Sequence, residues 1–287
     1  MVESSMQALV EAAGQNSIAK AARMDQARKE HCEESALVEK MRHALEVMRQ
    51  SVQEGLSPER RSLSGMVGGQ AALLYARCRT ALGGGASGLA AAYALAVAEC
   101  NACMGKIVAA PTAGACGILP GALLAVQETQ GYSDEQLVDA LFTAAAVGRV
   151  IARRASISGA QGGCQAECGS AAAMTAAALV ELAGGTPQMA ADACAFALMN
   201  TLGLVCDPVG GLVEVPCVYR NAAGATLALT AADMALCGIR SPIDADEVID
   251  AMKAVGDAMP ASLRETGEGG CAACRAYRRE DGAQTPG

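Results

Sequence analysis

The stretch GAQGGCQAECGSAAAMTAAALVEL, residues 159–182, decides how this chain is read. Its first half is broken by Gly159, Gly162 and Gly163 around Cys164, and from about Gly169 or Ser170 it becomes a run of Ala, Met, Leu and Val. A cysteine-bearing loop thus runs into a helix pattern suited to a buried position. The arrangement recurs in LVCDPVGG (204–211) around Cys206 and in VEVPCVYRN (213–221) around Cys217. Loops at helix ends can fold onto one point. Three thiolates brought together there, with no histidine nearby, would hold an iron–sulfur cluster with one iron left open, and an open iron is a Lewis acid for a substrate hydroxyl and carboxylate.

The rest of the chain agrees with a helical reading. Of 287 residues, 52% are hydrophobic but only 2% aromatic, with no Trp, so the core must be built from Ala, Leu, Val, Met and Gly. Small side chains let helices approach closely, and the bulky residues that favour strands are scarce. The fold class expected is all-α: an N-terminal helical segment over 1–55, an Ala/Gly-rich catalytic domain over 56–270 and a tail over 271–287. Leu37, Met41, Leu45, Met48 and Val52 form one apolar stripe ending at Gly55 and Pro58, which predicts an amphipathic helix. Ser133 and Gln136 read as a capping box ahead of Leu137, Leu141, Ala144 and Ile151. Thr186 and Pro187 open a helix expected to run to about Leu204, with Cys206 just past its end.

Charge and targeting signals exclude several classes of function. A net charge of −8 without a basic stripe gives nothing for nucleic acid to bind. Arg149, Arg153 and Arg154 read as the polar end of a helix. The opening MVESSMQALVEAAGQ has neither a positive nor a hydrophobic leader region, so a cytoplasmic location is expected, with the 13 cysteines reduced. The uncharged runs from Thr80 and Ile107 are rich in Ala and Gly, the second broken by Pro111 and Pro120, and read as buried core, leaving no membrane partner.

Other motifs carry weaker chemistry. Cys100 with Cys103, and Cys271 with Cys274, have the spacing of zinc knuckles, but the pairs are far apart and no histidine follows either. Gly83–Gly88 spells a dinucleotide fingerprint without the preceding strand and reads as a turn between helices. Lys106 precedes the turn PTAGACG (111–117) and could pair with a substrate carboxylate or the cluster's charge, or simply lie at the surface. A pyridoxal phosphate Schiff base on Lys106 is set aside, because no phosphate-binding glycine loop accompanies it. The turn itself offers backbone amides and the Thr112 hydroxyl, a grip for a carboxylate, or a plain structural turn.

At this point the chain resembles the catalytic alpha chain of the iron–sulfur-dependent L-serine dehydratases. The resemblance lies in LSPERRSLSGMVGG (56–69), NACMGKIVAAPTAGACGILPGALLAV (101–126), GAQGGCQAECGSAAAMTAAALVEL (159–182), NTLGLVCDPVGGLVEVPCVYRNA (200–222) and MPASLRETGEGG (259–270). It implies that Cys164, Cys206 and Cys217 hold a 4Fe-4S cluster. It further implies that Thr112, Ala113, Gly114 and Asn221 bind substrate, with Lys106 as the candidate catalytic residue. Cys168 is left out of the ligand set. The reaction implied is L-serine to pyruvate and ammonia. The family's histidine base lies in a Ser-Ser-His-Thr motif of a beta portion, which this sequence lacks; neither His31 nor His43 falls in a matched block. A separate beta chain is therefore the expected partner. A related cysteine desulfidase and a non-catalytic iron–sulfur protein are the alternatives. Cys271 or Cys274 is the candidate to cap the open iron when substrate is absent, against two incidental thiols.

Overall fold

The computed structural model describes residues 2–275 and contains twelve α-helices. These are α1 (Met6–Ala13), α2 (Ile18–Glu30), α3 (Glu34–Gly55), α4 (Gln70–Arg77), α5 (Gly85–Ala102) and α6 (Ile118–Gln130). There follow α7 (Asp134–Arg154), α8 (Gly159–Gly162), α9 (Ser170–Leu182), α10 (Pro187–Met199), α11 (Cys217–Leu236) and α12 (Ala245–Ala258). No sheet forms among the described residues, whose one isolated bridge pairs Cys206 with Arg264. The all-α expectation holds.

Two helices form the centre. On α9 every residue from Ser170 to Val180 is buried, and α6, α7, α10 and α11 pack around it. On α5 nearly every residue from Gly88 to Cys100 is buried, beneath α3, α4, α6 and α11. Alanine permits this because a methyl group fills little of the gap between two backbones. At the tightest crossing a β-carbon on Gly55 would lie 1.8 Å from the Ala96 carbonyl oxygen, so the end of α3 rests on the backbone of α5. One buried apolar cluster runs from Met6 to Met252, and the N-terminal helices share it with the remainder.

The N-terminal helices are also tied in by charge. The buried Glu3 carboxylate pairs with Arg149 at 2.5 Å and with Lys29 at 3.4 Å, and Arg154 reaches Asp250 at 2.6 Å. The polar end of α7 is thus a clamp. The amides that open three helices are bound by carboxylates from other helices. Asp246 of α12 accepts from Met6 and Gln7 at 2.8 and 3.1 Å, and Glu181 of α9 from Ile18 and Ala19 at 2.8 and 3.1 Å. Glu99 of α5 accepts from Gln70 and Ala71 at 3.0 and 3.3 Å. Such contacts satisfy orphan donors and place negative charge at the positive end of each helix.

Several local expectations hold. The Ser133–Gln136 capping box forms and Thr186 caps α10, while of the Gly83–Gly88 stretch only Gly83 and Gly84 lie between helices and Gly85–Gly88 form the first turn of α5. The expected stripe lies within α3, with Leu37, Leu45, Met48 and Val52 buried. The end of α10 differs from expectation: the helix stops at Met199, where the Asn200 amide and the Thr201 hydroxyl bond back to the Phe196 and Leu198 carbonyls at 2.8 and 3.0 Å. Gly203 then turns the chain at φ +83°. Among the described residues no helix is long and apolar enough to cross a membrane.

Candidate active site

The three cysteines reach one region by different routes. Cys164 follows the short α8 and precedes a five-residue π-helical turn, Gln165–Gly169, that runs into α9. Cys206 lies in extended chain, its amide donating to the Leu263 carbonyl at 2.9 Å and its carbonyl accepting from Glu265 at 2.7 Å, so the 259–270 block runs alongside it. Cys217, expected in a loop, is the first residue of α11. Cis prolyl bonds, Ala110–Pro111 and Val215–Pro216, enter the 112–117 turn and α11. All three thiols are buried.

Cys164, Cys206 and Glu167 each offer one ligand atom within 4.8 Å of the other two, while Cys217 lies outside that set. The Cys206 thiol donates to Glu167 Oε2 at 3.8 Å. Hydrogen bonds from the Cys168 and Cys206 thiols, helped by the Arg220 guanidinium, pull the Cys164 thiol far below its ordinary range. The Cys164 hydrogen bonds and charge, with burial, push Cys168 and Cys206 upward. Burial pushes the Cys217 thiol up to about 12, and the Cys164 and Glu167 charges add to it. Burial and then the Cys164 charge push Glu167 up to about 7.

Around the thiols the polar groups are committed. Arg220 donates to the Val205 carbonyl at 2.8 Å and pairs with the buried Asp207 at 2.8 Å, and Asp207 also accepts from the Cys271 amide at 2.6 Å. Cys271 is thereby held beside Arg220, whereas Cys274 is exposed. Asn221 is buried and fully bonded: its amide donates to the Gly114 and Cys217 carbonyls at 2.7 and 2.8 Å and its oxygen accepts from the Gly117 amide at 2.7 Å. Its polar atoms fasten the 112–117 turn to α11. The Thr112 hydroxyl is buried with no well-formed hydrogen bond, though near enough to Glu167 to oppose the rise in its pKa. A β-carbon on Gly114 would lie 3.4 Å from Glu167 Oε1, so the turn faces that carboxylate. Ala113 is exposed on the same turn.

The predicted catalytic residue, Lys106, takes no part in this bonding. Lys106 is exposed, and among the described residues its side chain makes no hydrogen bond or ion pair. His31 and His43 are exposed on α2's C-terminal cap and on α3. Sequence reasoning missed Glu167 and Arg220. Each falls three residues after a candidate ligand, the spacing that brings helical side chains onto one face. Glu214, also missed, is buried and accepts from Ser62 at 2.6 Å and from Ser64, which joins the 56–69 block to the 200–222 block. The matched blocks thus meet around the thiols.

The family model for the serine dehydratase alpha chain matches residues 10–272. The chain belongs to the serine dehydratase alpha chain family. It is similar to "Probable L-serine dehydratase, alpha chain" of Bacillus subtilis, 55% identical over 239 residues, covering 83% of this chain and 79% of that one. To the "L-serine dehydratase, alpha chain" of Peptoniphilus asaccharolyticus it is 43% identical over 244 residues, 84% of each chain. It is also 49% identical over 184 residues to the "L-serine dehydratase" of Mycobacterium tuberculosis, covering 62% of this chain but 40% of that longer one. Alpha chains of this family therefore match most of this sequence, while some relatives carry a comparable region within a longer chain.

Proposed function

We propose that this chain is the alpha chain of an L-serine dehydratase, an ammonia-lyase that converts L-serine to pyruvate and ammonia with a 4Fe-4S cluster. The observation that carries the reading is the convergence of Cys164, Cys206 and Glu167 beside the 112–114 turn, in a chain of this family. The donor set fits the cluster: three buried thiols in a region with no histidine. Cys164, Cys206 and Cys217 are the proposed ligands. When bound, the cluster supplies a Lewis acid that helps hydroxide leave.

The chain's own residues bind and orient the substrate. Thr112, with its unpartnered hydroxyl, and the amides of Ala113 and Gly114 grip the substrate's carboxylate. Asn221 serves substrate binding indirectly, as the positioning residue that holds this turn. Lys106, an exposed cation preceding the turn, is offered to the substrate carboxylate or to the cluster's negative charge. Elimination also needs a base for the α proton, and no histidine of this chain sits at the site. The base is assigned to a separate beta chain, a reading supported by the longer relatives, which carry additional sequence. Loss of water gives aminoacrylate, which tautomerises and hydrolyses to pyruvate and ammonia unaided.

An anaerobic preparation tests this directly. It is expected to contain iron and acid-labile sulfide and, with the beta chain, to form pyruvate from L-serine. Stoichiometric zinc without iron would overturn the cluster, and an iron–sulfur complex unable to turn over serine would overturn the reaction.

A further inference from the structure

A donor that the cluster assignment does not use converges with two of its ligands. Glu167 joins Cys164 and Cys206, although three cysteines already account for the expected ligands. It sits in the π-helical turn, a form of helix that recurs at functional sites. Backbone comes close to it on two sides: a β-carbon on Gly159 would lie 2.6 Å from Glu167 Oε2, and one on Gly114 would be in van der Waals contact with Oε1. Among the described residues it has no ion-pair partner, because Arg220 is engaged by Cys164, Asp207 and the Val205 carbonyl. A half-buried carboxylate gathered with two buried thiols, and without a cationic partner among the described residues, is a set of donor atoms suited to a metal ion. Carboxylate is also a ligand that iron accepts where thiolate does not fill its coordination.

We infer that Glu167, in place of Cys271 or Cys274, is the resting ligand of the iron that the three cysteines leave open. Its carboxylate occupies that iron when substrate is absent and gives way to the carboxylate of L-serine. One carboxylate replaces another, so the exchange needs no net change of charge at the iron. The inference rests on the cluster reading above and adds a residue that the reading does not require.

The experiment is Mössbauer spectroscopy on protein loaded with iron-57, with and without L-serine, for the wild type, Glu167→Gln and Glu167→Asp. Iron and sulfide per chain report whether each variant folds and holds its cluster. The expected result is equal iron and sulfide in all three, with the substrate-free spectrum of Glu167→Gln altered at one iron and that of Glu167→Asp intermediate. Serine should bring the wild type and Glu167→Gln to the same spectrum, and serine should bind Glu167→Gln several-fold more tightly because its competitor is gone. Identical substrate-free spectra would overturn the inference while leaving the cluster intact. A Glu167→Gln chain that loses all four irons would overturn it too, showing a structural role, and a wild type without iron would overturn the cluster reading first.

Discussion

Gly159 stands where a side chain cannot. Its missing β-carbon would be 2.6 Å from Glu167 and 2.8 Å from the Cys206 sulfur, so even one methyl group would push the converging donors apart. Gly159→Ala is expected to cost about 1–3 kcal/mol through overpacking and to abolish iron binding while helix content, measured by circular dichroism, stays near wild type. Alanine at Cys164, Cys206 or Cys217 should remove iron and activity. Cys78→Ala, in the turn after α4, and Cys237→Ala, exposed at the end of α11, should retain iron by the same assay. The thiols were legible in the sequence because cysteine in a glycine-broken loop beside an apolar helix is an unusual pattern. Glu167 was not, because one of 30 acidic residues acquires its meaning only when Gly159 and Gly114 close on it.

Helix starts show the same division. The capping box at Ser133 and the Thr186–Pro187 start lie within a few residues of what they cap, so sequence alone identifies them. The carboxylates on α1, α2 and α4 come from distant parts of the chain and leave no local trace. Glu181→Ala would strand the Ile18 and Ala19 amides and is expected to destabilise the fold by about 1–3 kcal/mol, read as a fall in denaturant midpoint. Asp134, at the start of α7, supplies a pH test. Hydrogen bonds from Arg49 of α3, at 2.8 Å, and from Gln127 hold its carboxyl down at about 2, against 3.8 unperturbed. A depressed carboxyl contributes stability above its unfolded value, and that contribution disappears as pH falls from near 4 towards 2. The groups are partly solvated, so the effect should be under about 1 kcal/mol. Asp134→Asn should flatten that stretch of the stability profile.

The whole molecule leaves an apolar rim close to the site. Leu63 and Met104 are 87% and 79% exposed, and Leu212 and Val213 are exposed beside them; Glu214, which binds Ser62 and Ser64, joins these loops just before Cys217. Exposed large apolar groups gathered at a site mark a place where another surface docks. The beta chain is the proposed occupant. A Leu63→Asp, Leu212→Asp double variant is expected to keep its iron but to lose beta-chain binding in size-exclusion chromatography. The cluster-loaded alpha chain alone should turn over serine about 10²–10⁴-fold more slowly than the complex, the usual contribution of a positioned base; full activity without a partner would place the base within this chain and make Lys106 the first residue to substitute. The helical class was readable from composition, but this rim was not: apolar residues look alike in sequence whether a fold covers them or leaves them bare.

The borrowed carboxylates also set a timetable for synthesis. The amide of Ile18 precedes its acceptor Glu181 by 163 positions, and that of Met6 precedes Asp246 by 240. At about 5–20 residues per second on the ribosome, the start of α2 waits roughly 8–33 s, and that of α1 roughly 12–48 s, for an acceptor to be made. Until then only the hydroxyls of Ser17 and Ser5 serve those ends, each for one amide. The first two helices therefore leave the tunnel with apolar faces that have no surface to join, and are the natural clients for a nascent-chain chaperone until α9 and α12 arrive.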